Sequence, residues 1–454
     1  MPGLWPVPSD EIRKLHRMRM RILSTVFLFC LSIAFSLHAQ SPVGYYTGAL
    51  TRDGSVQLME LDLQLQEDAL VGRYSIPELG IFDVRCDTVA FEDDSLRFTF
   101  YYGDFACLYH EEQQAFTGAS IRWSPKIRIH LKRTAPVPLP YTPTDISFRN
   151  GEVTLKGTLF EPVGAMRYPV AVLIHGSGDQ HRETPYYRSL AHSLAQRGIA
   201  SFLYDKRGSG ASGGDADLAD MELLADDAVA ACMAAREVAG ERAVKIGFLG
   251  SSQGGWIAPL AAAKVDDCGF VILNVGPAVS VFEQDIHRLR YGMPDYGYEA
   301  ATVDSAVAFT ELYFRYVRSG KMKDREQVER EGMKIRDREW AEHVNAVVDE
   351  GDVLWWRRND FDPAKSLSTL RCPTLALFGE NDLLVPPAEN EARMQALLAR
   401  SGVEHKVVTI PDMGHDGRAS QGLNGANWDW PNVFWRWRRQ PPEFIEQIVR
   451  WIQE

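Results

Sequence analysis

From Gly44 to about Arg133 the chain alternates polar and apolar residues with a period of two. Val56-Gln57-Leu58-Met59-Glu60-Leu61-Asp62-Leu63-Gln64-Leu65 is the clearest run, and Leu96–Tyr101 and Ile127–Leu131 repeat it. Gly, Asp and Pro punctuate these runs. The pattern predicts a small antiparallel β domain over residues 41–134, a sandwich or a barrel. A proline-rich stretch beginning Ala135-Pro136-Val137-Pro138-Leu139-Pro140 follows, read as a semi-rigid linker over 135–143.

Beyond it the period changes. Continuous apolar runs at Val170–Ile174, Ala200–Tyr204, Val244–Leu249, Phe270–Leu273, Thr374–Phe378 and His405–Ile410 predict buried strands. Helical patterns such as Tyr186–Arg197 and Ala219–Ala239 lie between them. Strands apolar throughout, alternating with helices, predict a mostly parallel, doubly wound sheet of about eight strands over 144–454. The interval 280–368 lacks a strand pattern and carries charged and aromatic residues at helical spacing. It is too long for a bare loop and reads as a helical cap inserted in this domain.

The amino terminus adds a third pattern. Arg13, Lys14, Arg17, Arg19 and Arg21 precede the apolar run Ile22–Leu37, and small residues end it at Ala39. That is the order of a secretory signal peptide, residues 1–39, which predicts a secreted or periplasmic protein. The run is shorter than the roughly 20 residues of a membrane span, although an uncleaved anchor is the competing reading. Elsewhere no run is long enough to cross a bilayer.

The chain has 454 residues and a formal net charge of −12, which disfavours a nucleic-acid partner. Its six cysteines contain no C-x-x-C pair, and no H-E-x-x-H or clustered His/Cys spacing appears, so no metal site is expected. Cys86 and Cys107, both in the β region, are either a disulfide or two buried thiols.

Candidate chemistry sits at the carboxyl ends of the apolar runs. Gly250-Ser251-Ser252-Gln253-Gly254 is a G-x-S-x-G string between a strand and a helix, the setting of a nucleophile elbow centred on Ser252. His175-Gly176-Ser177-Gly178 follows another strand. Its glycines suit a loop that aims backbone N–H groups at an oxyanion, so the expected hole is the N–H of Ser177 with that of Gln253. His175 precedes the serine and reads as a prop of that loop. Phe378-Gly379-Glu380-Asn381-Asp382 offers the acid, Asp382, with Glu380 as rival. Pro411-Asp412-Met413-Gly414-His415 offers the base, His415.

Together with Tyr204-Asp205-Lys206-Arg207-Gly208-Ser209-Gly210-Ala211-Ser212, these motifs resemble the α/β-hydrolase superfamily over roughly residues 145–454. They are most similar to bacterial serine esterases of the serine aminopeptidase and monoglyceride-lipase-like group. The resemblance implies an α/β-hydrolase fold, a small-molecule carboxylic ester as substrate, no metal or organic cofactor, and bracing roles for Asp205 and Arg207. A serine exopeptidase with the same Ser-Asp-His order is the alternative. It needs a carboxylate for the substrate amine, for which Glu283, Asp285, Glu311 and Glu326 are available. The tail departs from a compact relative: Gly417–Arg439 carries Trp428, Trp430, Trp435 and Trp437, suited to lining a pocket, stacking on a sugar, or packing on the cap. A glycan contact is a further expectation for the β domain.

Overall fold

The computed structural model describes residues 42–52, 54–419 and 440–454. The leader read at 1–39 and the four tail tryptophans lie outside the described residues. The described residues form two sheets. The first is built from β1 (Gly44–Arg52), β2 (Ser55–Gln66), β3 (Ala69–Ile76), β4 (Ile81–Arg85), β5 (Thr88–Glu92), β6 (Ser95–Phe100), β7 (Gly103–His110), β8 (Ala115–Ser120) and β9 (Arg128–Thr134). All neighbours are antiparallel, in the order β4-β3-β2-β1-β9-β8-β7-β6-β5. The sheet curls until Gly72 of β3 faces Val89 of β5. Its inner face buries Met59, Leu61, Leu63, Phe98, Phe105 and Leu131 in one core, because alternate residues of a strand point the same way. Cys86 and Cys107 are free, buried thiols within it.

The second sheet comprises β10 (Tyr141–Asn150), β11 (Val153–Pro162), β12 (Tyr168–Ile174), β13 (Ala200–Tyr204), β14 (Ala243–Ser251), β15 (Val271–Asn274), β16 (Thr374–Gly379) and β17 (His405–Ile410). Its order is β10-β11-β13-β12-β14-β15-β16-β17. From β13 to β17 every pair is parallel, whereas β10 and β11 form an antiparallel edge. Because β10 starts at Tyr141, the linker read over 135–143 ends earlier than expected, and its last three residues are strand.

The central strands are apolar throughout because both faces are covered. Val170, Val172, Phe202 and Phe248 face α2 (Met221–Ala239), α3 (Gly254–Ala262) and α9 (Pro387–Ser401). Ala171, Leu173, Leu203 and Leu249 face α1 (Pro185–Ala195) and α10 (Pro442–Gln453). Between β15 and β16 the chain makes a helical excursion: α4 (Val281–Asp295), α5 (Ala300–Ser319), α6 (Met322–Ile335), α7 (Glu350–Arg358) and α8 (Ala364–Ser368). Ser280 and Glu283 start it with reciprocal side-chain to backbone hydrogen bonds, so α4 begins sharply. Among the described residues no helix is long and apolar enough to cross a membrane.

Candidate active site

β14 ends at Ser251 and α3 begins at Gly254, so the chain reverses within two residues. Ser252 takes the turn at φ 55°, a left-handed conformation that costs a non-glycine residue energy. The surroundings hold it there. Its N–H donates to the Asn274 carbonyl at 3.0 Å, pinning the turn to the end of β15. The turn also requires glycine at two places. A Cβ on Gly250 would lie 2.0 Å from the Gly254 carbonyl oxygen, and one on Gly254 would lie 2.4 Å from that of Ile174. Ser251 is buried, and its hydroxyl accepts from the Asn274 amide.

The hydroxyl of Ser252 lies 3.0 Å from Nε2 of His415, and Nδ1 of His415 lies 2.8 Å from Oδ2 of Asp382. Asp382 is buried, and its Oδ1 accepts the backbone N–H groups of Leu384 and Val385, each at 2.8 Å. A carboxylate so held can accept from Nδ1–H of the imidazole, an arrangement in which Nε2 faces the Ser252 hydroxyl as an acceptor. Burial alone would lower the His415 pKa. The charge of Asp382, its hydrogen bond and the more distant Asp416 outweigh burial and raise it above 6.5. Glu380, the rival acid, is turned elsewhere: its carboxylate accepts the Asp412 N–H at 2.9 Å and ties the acid loop to the base loop.

The loop after β12 stands opposite. His175 is 1% exposed and packed edge-on against Tyr187 and Tyr204. Burial lowers its pKa to about 3, helped by the Lys206 charge, so the ring is neutral and supports the loop. The Gly176 N–H donates to the Tyr187 hydroxyl at 2.6 Å. Ser177 and Gln253 both line the cavity that contains Ser252. Asp205 accepts from Arg182 and from the Ala211 N–H, and Arg207 forms two hydrogen bonds with Asp227 of α2.

Sequence reasoning missed Lys206. Its buried ammonium donates to the Gly176 carbonyl at 3.0 Å and to Oε1 of Gln253 at 2.8 Å, joining the two segments that flank Ser252. The available signal was its position, two residues after an apolar strand, at the sheet edge that carries the other loops. Tyr101 of the β domain was also missed, and no local pattern marks it.

The cavity above Ser252 has a volume of about 560 Å³, within the range of small-molecule sites. Its walls come from α1 (Tyr186), α3 (Trp256), α7 (Trp355 and Trp356) and the β domain (Tyr101). A second cavity of about 630 Å³, between α4 and α5, is lined by Phe282, Glu283, Glu311 and Phe314 and contains none of Ser252, Asp382 or His415. Of the acids considered for an exopeptidase, Asp285 faces the Ser252 cavity and is paired with Arg288 at 2.7 Å. Glu283 caps α4, Glu311 lines the second cavity, and Glu326 is exposed. Among the described residues no group of three or more His, Cys, Asp or Glu is placed to hold a metal ion.

Residues 171–422 match the model of the alpha/beta hydrolase family, and the chain belongs to that family. Esterase EstD of Thermotoga maritima is 23% identical over 314 residues, 67% of this chain and 68% of that protein. Among solved structures, an esterase of Pyrococcus furiosus is similar at 16% identity and a TM-score of 0.45, over 69% of this chain and 92% of that one. An esterase of Thermogutta terrifontis is similar at 22% identity and a TM-score of 0.39, over 69% and 98%. A proline iminopeptidase of Mycobacterium smegmatis is similar at 15% identity and a TM-score of 0.42, over 68% and 98%.

Proposed function

We propose that the protein hydrolyses small carboxylic esters through an acyl-enzyme at Ser252. The observation that carries this reading is the hydrogen-bonded series from Ser252 through His415 to Asp382, at the carboxyl edge of the parallel sheet. His415 takes the proton of Ser252 as its oxygen attacks the ester carbonyl. The N–H groups of Gln253 and Ser177 receive the negative charge that develops on the carbonyl oxygen, and the amino end of α3 adds its dipole. As the tetrahedral adduct collapses, His415 returns the proton to the departing alkoxide, which leaves as the alcohol. Water, deprotonated by the same imidazole, then releases the carboxylic acid and restores Ser252. None of these steps calls for a metal or an organic cofactor.

The likeness to an esterase of Thermotoga maritima supports this reading over an exopeptidase, and so does the pairing of the cavity's acids. An exopeptidase needs a carboxylate to receive the substrate amine, whereas Asp285 and Asp416 already face Arg288 and Arg418. With residues 1–39 read as a leader, we place the activity in a secreted or periplasmic protein.

The test is hydrolysis of p-nitrophenyl acetate, butyrate and octanoate beside a panel of aminoacyl anilides, by wild-type protein and by Ser252→Ala. Ester turnover that disappears in the variant is expected. Anilide turnover exceeding ester turnover would replace the esterase with the peptidase.

A further inference from the structure

The β domain is held to the catalytic domain by a buried ionic cluster. Asp83 of β4 has φ 50°, where the β3–β4 pairing shifts register. There it accepts from Arg188 of α1 at 2.6 Å, from Arg73 at 2.6 Å and from the Tyr141 hydroxyl. Arg73 reaches on to Glu183, just before α1, at 2.8 Å. The Phe82 ring stacks on His192 with centroids 4.5 Å apart, and the Phe82 N–H donates to the Ser189 hydroxyl. The sheet therefore grips one side of the helix whose first turn, with Tyr186, walls the Ser252 cavity.

A second attachment lies at the cavity itself. Arg418 follows His415 by three residues, is 8% exposed and lines the cavity. Its Nε donates to the Leu79 carbonyl at 3.0 Å, and its guanidinium lies over the Tyr101 ring, 5.5 Å from the centroid. Tyr101, at the turn between β6 and β7, faces the same cavity as Ser252. Cation–π contact and the backbone bond of Arg418 fix that ring in place. The β domain thus supplies one wall of the site.

The rest of the lining indicates what that wall contacts. Tyr186, Tyr187, Trp256, Trp355 and Trp356 share the cavity with Tyr101. Its charged groups other than His415 pair internally, Asp285 with Arg288 and Asp416 with Arg418. A lining of rings with balanced charge favours an uncharged aromatic group, which stacks offset or edge-on against such walls. We infer that Tyr101 determines specificity and that the substrates are esters bearing an uncharged aromatic group, held partly by the β domain. This inference rests on Ser252 being the esterolytic nucleophile.

The experiment measures kcat/KM of the full-length protein for methyl 3-phenylpropanoate and for methyl butyrate, and takes their ratio. Wild type is expected to favour the aromatic ester about tenfold, the equivalent of roughly 1.4 kcal/mol from a well-packed ring contact. Tyr101→Ala is expected to reduce the ratio severalfold, mainly through KM. Tyr101→Leu keeps apolar volume without the ring and should do the same, while Tyr101→Phe should keep the wild-type ratio. Thermal unfolding of each variant identifies any that fails to fold. A wild-type preference for methyl butyrate, or equal ratios in wild type and Tyr101→Leu, overturns the inference. Labelling of wild-type protein by diisopropyl fluorophosphate separates the two failures: without labelling at Ser252, the esterase reading itself falls.

Discussion

The ammonium of Lys206 donates to the side-chain carbonyl of Gln253 across 2.8 Å, and to the Gly176 carbonyl across 3.0 Å. One buried cation thus spans the elbow and the loop whose N–H groups are assigned to the oxyanion. Lys206→Met should leave both carbonyls without their donor and loosen the hole. Misplacement of such donors costs roughly a hundredfold in rate. We expect kcat to fall by about that factor with KM little changed, measured on p-nitrophenyl butyrate.

The pH profile should be a narrow bell. Burial lowers the Lys206 pKa to about 8, against the opposing charge of Asp179. The cation is therefore present below that pH and lost above it, which sets an alkaline limb near 8 that Lys206→Met should abolish. His415 must be neutral to act as a base, and its pKa is raised above 6.5, so the acid limb lies above 6.5. Asp382→Asn removes the charge that raises it and leaves burial, moving the acid limb down. The same change should lower kcat about 10⁴-fold. An unmoved acid limb in this variant would falsify the role given to Asp382.

Asp83 couples stability to pH in the acid range. Burial alone would raise its pKa, but the charges of Arg188 and Arg73 and its hydrogen bonds outweigh that and hold it below 3.8. A carboxylate with a depressed folded pKa contributes stability above its unfolded value and loses it as pH falls through the folded one. Wild type should therefore lose stability below about pH 4. Asp83→Asn, which leaves two arginines facing a neutral group, should cost about 3–5 kcal/mol at pH 7 and flatten that loss. Denaturant titrations at pH 7 and pH 3.5 test both statements.

Gly250→Ala places a methyl group 2.0 Å from a backbone carbonyl that cannot move without shifting the start of α3. Ester turnover should drop at least a hundredfold, by the same sensitivity to placement. Gly213→Ala is the matched control: its new Cβ meets nothing nearer than 3.5 Å, and turnover should stay near wild type.

The parallel core was readable because each buried strand is apolar along its whole length. Val170–Ile174 and Ala200–Tyr204 carry that pattern openly. β10 was not found because it is the edge strand. Thr142, Pro143, Asp145 and Ser147 are exposed there, and proline is tolerated where no neighbour needs its N–H, so the first three residues of the strand read as linker. The motif favours Asp382 over Glu380 as the acid, and the fold turns Glu380 toward the Asp412 N–H and Asp382 toward His415. Lys206 was hidden because lysine usually signals surface. The Arg418 contact with Leu79 joins residues from opposite ends of the chain, and neither neighbourhood advertises it.

The helical excursion leaves after Asn274 and returns at Thr374 on the adjacent strand, with β15 and β16 paired from Val271↔Thr374 to Asn274↔Leu377. Both of its anchors belong to the sheet, so its length is nearly free: doubling a flexible loop costs only about 0.6 kcal/mol. Descendants of this chain that keep Phe282, Leu367 and Leu370 packed on the core of the sheet can therefore lengthen, shorten or exchange the rest of that block above the strands beneath Ser252, and substrate preference and bond-breaking chemistry can evolve on separate clocks.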